Sequence, residues 1–124
     1  MMIRRKPGMK WYDRGDPEAF DSPVGGYVAD SDFHAWDISA IVGKGRRLVL
    51  LRVRVYTGGA NSLVRFCTNG NEHDKNVANF IVTNTSREHE DKWIWTDVDG
   101  KIQYLIQEPP GVPTIACCIG GYWK

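Results

Sequence analysis

Three histidines and three cysteines are the residues of this sequence best suited to nucleophilic chemistry. A Ser or Cys nucleophile needs a base within hydrogen-bond reach. His34, His73 and His89 have no flanking catalytic signature, and only Cys67 and His73, six positions apart across an Asn-Gly turn, form a conceivable pair. A buried thiol and a surface imidazole account for that pair more simply. We therefore expect no catalytic residues and no enzymatic activity.

The acidic residues form no clear metal or glycosidase pattern. The fragment 97–100 (Asp-Val-Asp-Gly) superficially resembles a calcium loop. The further oxygen ligands and the closing Glu of an EF-hand do not come after it. Zinc-type spacing of Cys and His is also missing from the sequence. The remaining acids are interspersed with Lys and Arg, as on a solvated loop, so we expect neither a metal nor a cofactor.

Aromatic side chains give this sequence its clearest potential for binding. Five Trp and five Tyr in 124 residues are enough to build flat platforms on which sugar rings stack. Trp93 and Trp95 share one face of a predicted strand, because side chains two positions apart point the same way. With Trp36 and Tyr104 they are the predicted binding residues. The alternative is that these large rings fill the core or an oligomer interface.

Charge and hydropathy exclude some classes of partner. Sixteen basic and fifteen acidic residues give a net charge of +1, so we expect no nucleic-acid partner. No apolar run approaches the roughly 18 residues of a membrane-spanning helix, so we expect no membrane span. The first ten residues, however, carry four positive charges and no negative one. Since Pro and Gly recur through the first 25 residues and interrupt any regular period, we predict a basic, extended N-terminal arm over 1–25 that docks through Arg4, Arg5, Lys6 and Lys10.

Residues 26–124 are predicted to form one all-β domain. Short runs of β-forming residues alternate with turn residues at the spacing typical of sandwiches and barrels. Arg52 and Arg54 alternate with aliphatic residues, which places the arginines on the outer face of their strand. Asp99-Gly100 predicts a tight hairpin that joins two consecutive strands. The predicted strands are 26–29, 35–39, 47–56, 63–68, 78–83, 92–97, 101–106 and 113–123, and they favour an antiparallel two-sheet β-sandwich, with the jelly roll as a candidate topology.

Several motifs carry a resemblance to a known group of proteins. His34-Ala35-Trp36-Asp37-Ile38-Ser39, a Gly-Lys-Gly turn, Leu48-Val49-Leu50-Leu51-Arg52-Val53 and the ending Ile119-Gly120-Gly121-Tyr122-Trp123 occur in that order. Over roughly 27–124 the chain resembles small β-sandwich domains of tailed-phage (bacteriophage) virion proteins, of the tail-fibre-tip or capsid-decoration type. The resemblance implies a virion structural protein without catalytic residues, made in the host cytoplasm. It also implies a homo-oligomer, most simply a homotrimer, with other virion proteins and host-surface glycans as partners.

Two other functions stay open at this point. A carbohydrate-binding module would expose its aromatic side chains, led by Trp93 and Trp95, along one sheet face. A small hydrolase would bring a histidine and carboxylates together in a concave pocket, and the spacing of these residues gives it the least support.

Overall fold

The computed structural model describes residues 8–56, 62–71, 78–82, 87–107 and 114–124. Within these residues, strands dominate and two four-stranded antiparallel sheets face each other, which confirms the predicted all-β sandwich. No helix in the described ranges has the length and apolar character to cross a membrane. The elements are β1 (Trp11–Asp13), β2 (Phe33–Asp37), α1 (Ser39–Val42), β3 (Leu48–Tyr56), β4 (Ser62–Thr68), β5 (Ala78–Val82), β6 (Arg87–Trp95), β7 (Lys101–Ile106) and β8 (Thr114–Trp123).

The strands pair in a nested order. The first sheet has the order β1-β8-β3-β6 and the second has the order β2-β7-β4-β5. The pairs β4·β5, β3·β6, β2·β7 and β1·β8 are all antiparallel, and each pair encloses the one before it. Successive pairs fall in alternate sheets. The chain therefore runs like one long hairpin that has been doubled over to make two layers.

The core lies between the two sheets and follows the alternation of side chains along the strands. On β3 the inward residues Val49, Leu51, Val53 and Val55 are at most 3% exposed. They face aliphatic and aromatic side chains of β4 and β7. Burying a side chain of this size contributes about 1.5–3 kcal/mol. The core residues of β4 and β7 are Val64, Phe66, Ile102, Tyr104 and Ile106.

The turn predicted at Asp99-Gly100 is present, but the prediction that it joins two paired strands as a hairpin is wrong. Asp97 donates its N–H to the carbonyl of Lys101 at 2.9 Å, and its carboxylate accepts the N–H groups of Asp99 and Lys101. Gly100 supplies the positive φ of 78° that such a turn needs. However, β6 belongs to the first sheet and β7 to the second. The turn therefore carries the chain from one layer to the other.

The strand predicted at 26–29 is also wrong, because this segment is irregular in the structure. Its backbone bonds to a side chain instead of a neighbouring strand: the N–H of Val28 donates to the hydroxyl of Tyr104 at 2.9 Å. The ring of Tyr27 packs edge-on against Trp36 and Tyr104. The apolar residues here therefore cap one part of the core without joining a sheet.

Part of the segment predicted as an arm contributes to the first sheet. Residues Trp11–Asp13 form β1, and Lys10 and Lys124 exchange two backbone hydrogen bonds of 3.0 Å that extend its pairing with β8. The side chain of Lys10 is exposed. The other predicted docking residues, Arg4, Arg5 and Lys6, lie outside the described residues.

Candidate binding face of the first sheet

The outer face of the first sheet, the side turned away from the second sheet, carries two chemically different halves. Along β3 the outward side chains change from Leu48 and Leu50 to Arg52 and Arg54. Their partners on β6 change in step, from tryptophans to Asp91 and His89. We call the first half the tryptophan end and the second half the groove.

Four tryptophans occupy the tryptophan end: Trp11, Trp93, Trp95 and Trp123. The ring centroid of Trp11 lies 5.8 Å from that of Trp93 and 5.6 Å from that of Trp123. All four are half-buried, and they cover Leu48 and Leu50, which are only 4% and 8% exposed although they point outward. The guanidinium of Arg46 lies 5.3 Å from the ring centroid of Trp95, within cation–π range. Much of this aromatic surface is therefore already in contact with the chain itself.

Gly121 makes room for β1 at this end. A Cβ atom at this position would collide with the ring of Trp11 and would lie 2.7 Å from the carbonyl oxygen of Tyr12. Only a residue without a side chain lets Trp11 lie across β8. The glycine in the sequence is thus explained by close packing of an aromatic ring.

An ion pair holds the next segment of the chain against a β-bulge in β8. The register of β3 with β8 shifts between Leu50 and Leu51. Arg14 pairs with Asp21 at 2.6 Å and also donates to the carbonyl of Ile119 at 3.0 Å. The carboxylate of Asp21 in turn accepts the N–H of Ile119 at 2.9 Å. These contacts fasten both ends of the loop 15–20, which becomes one wall of the groove.

The groove has a volume of about 420 Å³. A smaller hollow of about 250 Å³ beside the loop 15–20 shares Phe20, Arg52 and Cys118 with it. Arg52 and Asp91 approach to 3.8 Å, yet their side chains stay 58% and 59% exposed. An exposed ion pair of this kind contributes only about 0–1 kcal/mol, so both groups stay available to a ligand. The guanidinium of Arg54 lies 5.0 Å from the ring centroid of Phe20.

The predicted binding residues fall in two separate places. Trp93 and Trp95 lie together on the outer face, as their spacing predicted. Trp36 and Tyr104 lie in the core, where they are 3% and 2% exposed. Trp36 of β2 lies opposite Ile102 of β7, and both side chains belong to the core between the sheets, as does Tyr104 two positions further along β7. Trp36 and Tyr104 are therefore not part of a surface platform with Trp93 and Trp95.

The groove was not predicted from the sequence. Phe20 is 60% exposed, and it comes from a segment without strand periodicity. Its closeness to Arg54 depends on the ion pair between Arg14 and Asp21, which has no local signal. For Arg52 a partial signal existed, since its alternation with aliphatic residues placed it on the outer face. Nothing in the sequence indicated that Asp91 would lie beside it.

The thiols and histidines show no nucleophilic arrangement among the described residues. Cys67 and Cys117 are buried, and burial raises the pKa of the Cys117 thiol to about 12. Cys118 points to the groove, and burial also raises its pKa. His34 contacts Asp30 at 2.8 Å. His73 lies outside the described residues. Within the part of the chain that the structure describes, no three His, Cys, Asp or Glu side chains are grouped to hold a metal.

Comparisons with known proteins do not assign the chain to a family. No family model matches it, and no curated protein matches it. Function must therefore be inferred from the geometry of the first sheet. That geometry combines an aromatic end with a polar groove, both built on hydrogen-bonded strands.

Proposed function

We propose that this chain is a virion structural subunit, of the capsid-decoration or tail-fibre-tip type, that acts by assembly and surface binding. The observation that carries the proposal is the nested strand pairing. An order of β1-β8-β3-β6 against β2-β7-β4-β5 supports the jelly-roll form of the sandwich. Viral capsid and lectin domains are frequent users of that form. The motifs between His34 and Trp123 that resemble phage virion domains point the same way.

Self-association is proposed to use faces of the sandwich rather than its edges. Strand β6 forms an edge of the first sheet and carries the charged run His89-Glu90-Asp91-Lys92. Charged edge strands resist pairing with further strands. Aromatic residues are enriched in protein interfaces, so the tryptophan end suits contact with other copies in a homotrimer. Arg4, Arg5 and Lys6 would then dock the trimer onto an acidic surface of another virion protein.

Light scattering on the purified full-length chain tests this proposal. We expect a stable trimer over the whole accessible concentration range. The triple variant Arg4→Ala, Arg5→Ala, Lys6→Ala should remain a trimer, because these cations serve docking. Trp95→Ala should weaken the trimer, whereas Phe33→Ala, a matched aromatic truncation on the outer face of the second sheet, should not. A wild-type monomer at high concentration would contradict the proposal.

Carbohydrate binding is a second candidate, and it is favoured by the placement of four tryptophans and a polar groove on one face. Aromatic rings supply stacking surfaces, and a few convergent polar groups fix the orientation of a ligand. An array of immobilised oligosaccharides tests this function directly. Reproducible binding by a folded wild-type chain would support it. Absence of binding to every glycan would remove it and leave the assembly proposal intact.

A further inference from the structure

We infer that the groove beside Phe20 is the site of a neutral sugar ring, and that the tryptophan end is not the principal site. This inference deepens the carbohydrate-binding candidate and rests on it. It does not depend on how the chain assembles. Four groups at the groove would contact the sugar: the ring of Phe20, the guanidinium groups of Arg52 and Arg54, and the carboxylate of Asp91.

The polar groups of the groove match the needs of sugar hydroxyls. Each hydroxyl both donates and accepts hydrogen bonds, so a suitable site offers donors and acceptors side by side. Arg52 lies opposite Asp91 in the pairing of β3 with β6, and Arg54 lies opposite His89. Since Arg52 and Asp91 are 3.8 Å apart and both more than half exposed, neighbouring hydroxyls of one ring can bind both without a buried ion pair being broken.

Phe20 supplies the apolar surface that a sugar ring also requires. It is 60% exposed at the wall of the groove, with Arg54 stacked on it. The four rings of the tryptophan end are less exposed than Phe20, because all of them are half-buried. Trp11 is packed against both Trp93 and Trp123, so these rings already have aromatic partners. Phe20 therefore presents the more accessible aromatic surface of the outer face.

The charge balance favours a neutral sugar over an acidic one. Arg52 and Arg54 in the groove are partly offset by Asp91, whereas the carboxylate of Glu90 pairs with Lys92 at 3.1 Å. The adjoining hollow adds Asp16 and Glu18 without another cation besides the shared Arg52. A ligand carboxylate would therefore meet more negative than positive charge along the two hollows. Hydroxyl groups carry no such penalty.

The groove is also held in place before a ligand arrives. Three of the four groups sit on paired strands, and the loop that carries Phe20 is fastened at Arg14 and Asp21. A site that is already ordered loses less conformational entropy on binding. The ion pair between Arg14 and Asp21 thus helps to fix the position of Phe20.

An array of immobilised neutral and acidic oligosaccharides, followed by titration of the best neutral ligand, tests the inference. Phe20→Ala and Asp91→Asn should each weaken binding about tenfold, equivalent to about 1.4 kcal/mol. Phe20→Tyr, which keeps the aromatic ring, should bind like the wild type. Phe33→Ala is the matched control and should change the affinity less than twofold. Because Phe20 and Asp91 are exposed, all variants are expected to keep the wild-type circular dichroism spectrum.

Three outcomes would overturn the inference. Loss of binding in Trp93→Ala with unchanged binding in Phe20→Ala and Asp91→Asn would move the site to the tryptophan end and keep the carbohydrate-binding candidate. Binding to acidic glycans alone would refute the argument from charge. Absence of binding to every glycan would refute both the inference and the candidate, while the light-scattering result would still decide the assembly proposal.

Discussion

Polar side chains on the outer faces of the two sheets differ in their exposure and in their hydrogen bonding within the chain. On the second sheet Gln103 is 7% exposed, and its amide nitrogen donates to the carbonyl of Asn71 at 2.6 Å while its amide oxygen accepts the N–H of Gly70 at 3.0 Å. Cys67 beside it is fully buried. On the first sheet Arg52 and Asp91 remain more than half exposed. The chain thus satisfies the buried amide of Gln103 itself, whereas it leaves Arg52 and Asp91 largely exposed to solvent.

The tryptophan end is the part of the first sheet that the chain does cover, and Gly121→Ala should uncover it. The new Cβ collides with Trp11 and with the backbone of Tyr12, so β1 must move away from β8. We expect a loss of about 3 kcal/mol in the free energy of unfolding, the upper part of the usual range for overpacking. Urea unfolding measures it.

Gly120→Ala is the matched control for this variant. The nearest atom to its Cβ would be the flexible Arg52 side chain at 3.3 Å, which can move aside. A loss of stability equal to that of Gly121→Ala would show that β8 tolerates no side chain in this region, and that the packing of Trp11 is not the cause.

On the covered face of the second sheet, Gln103→Ala should destabilise the fold by about 2 kcal/mol. The change removes the two hydrogen bonds that the Gln103 amide makes with the N–H of Gly70 and the carbonyl of Asn71, and a typical hydrogen bond contributes about 1 kcal/mol. Chemical unfolding gives the difference. Gln107→Ala, just beyond the end of β7, serves as the control. A stability equal to the wild type would mean that water replaces the side chain and that this face is not closed.

The two faces of a single strand should differ at alkaline pH. Cys117 points into the core and Cys118 points outward. The unfolded thiol ionises near its usual pKa of 9.0, whereas burial keeps Cys117 protonated up to about 12. Unfolding between these pH values therefore releases a proton, and stability should fall by about 1.4 kcal/mol per pH unit as pH rises.

Unfolding curves from pH 8 to 10.5 measure this slope. Burial also raises the pKa of the Cys67 thiol and of the Tyr27 hydroxyl, so both groups add to the slope. Cys117→Ala should reduce the slope clearly, and Cys118→Ala should leave most of it. An unchanged slope in Cys117→Ala would assign the proton release to other groups.

The smallest effect is expected in the open groove. Arg52→Ala should change the free energy of unfolding by less than about 1 kcal/mol, because the pair with Asp91 is exposed and long. A double-mutant cycle with Asp91→Ala measures the coupling. A coupling as large as the effect of Gln103→Ala would show that both outer faces are stabilised internally, and the contrast between them would disappear.

Periodicity predicted most of the fold, because seven of the runs that alternate or cluster apolar residues coincide with strands of the two sheets. It failed where the backbone found an unusual partner, as at Val28, whose N–H bonds to Tyr104. It also missed the first part of β6, which begins at Arg87 within a charged run that has no apolar alternation, five residues before the predicted strand 92–97. The sequence does not indicate that the chain passes from the first sheet to the second after Asp97, because a tight turn has the same local chemistry whether or not it joins paired strands.

The candidate site was less predictable than the fold. The parity of Trp93 and Trp95 predicts that they lie together. Parity alone does not tell which side of an isolated strand faces the core, so it does not separate the buried Trp36 and Tyr104 from the tryptophans of the outer face. Phe20 reaches the groove through an ion pair between residues of the irregular N-terminal segment and through the bulge in β8. Contacts of this kind depend on the tertiary structure and leave no periodic trace.

The nested pairing also has a consequence for synthesis of the chain. Arg14 and Ile119, which are in contact, are 105 positions apart, and closing so long a loop is entropically costly and slow. During translation β4·β5 can form early, but β3 gains its second neighbour only when β8 has left the ribosome. Until then one edge of a strand with four consecutive apolar residues from Leu48 to Leu51 is unpaired and prone to aggregation. The nascent chain is therefore expected to need a chaperone most in the interval before β8 pairs with β3.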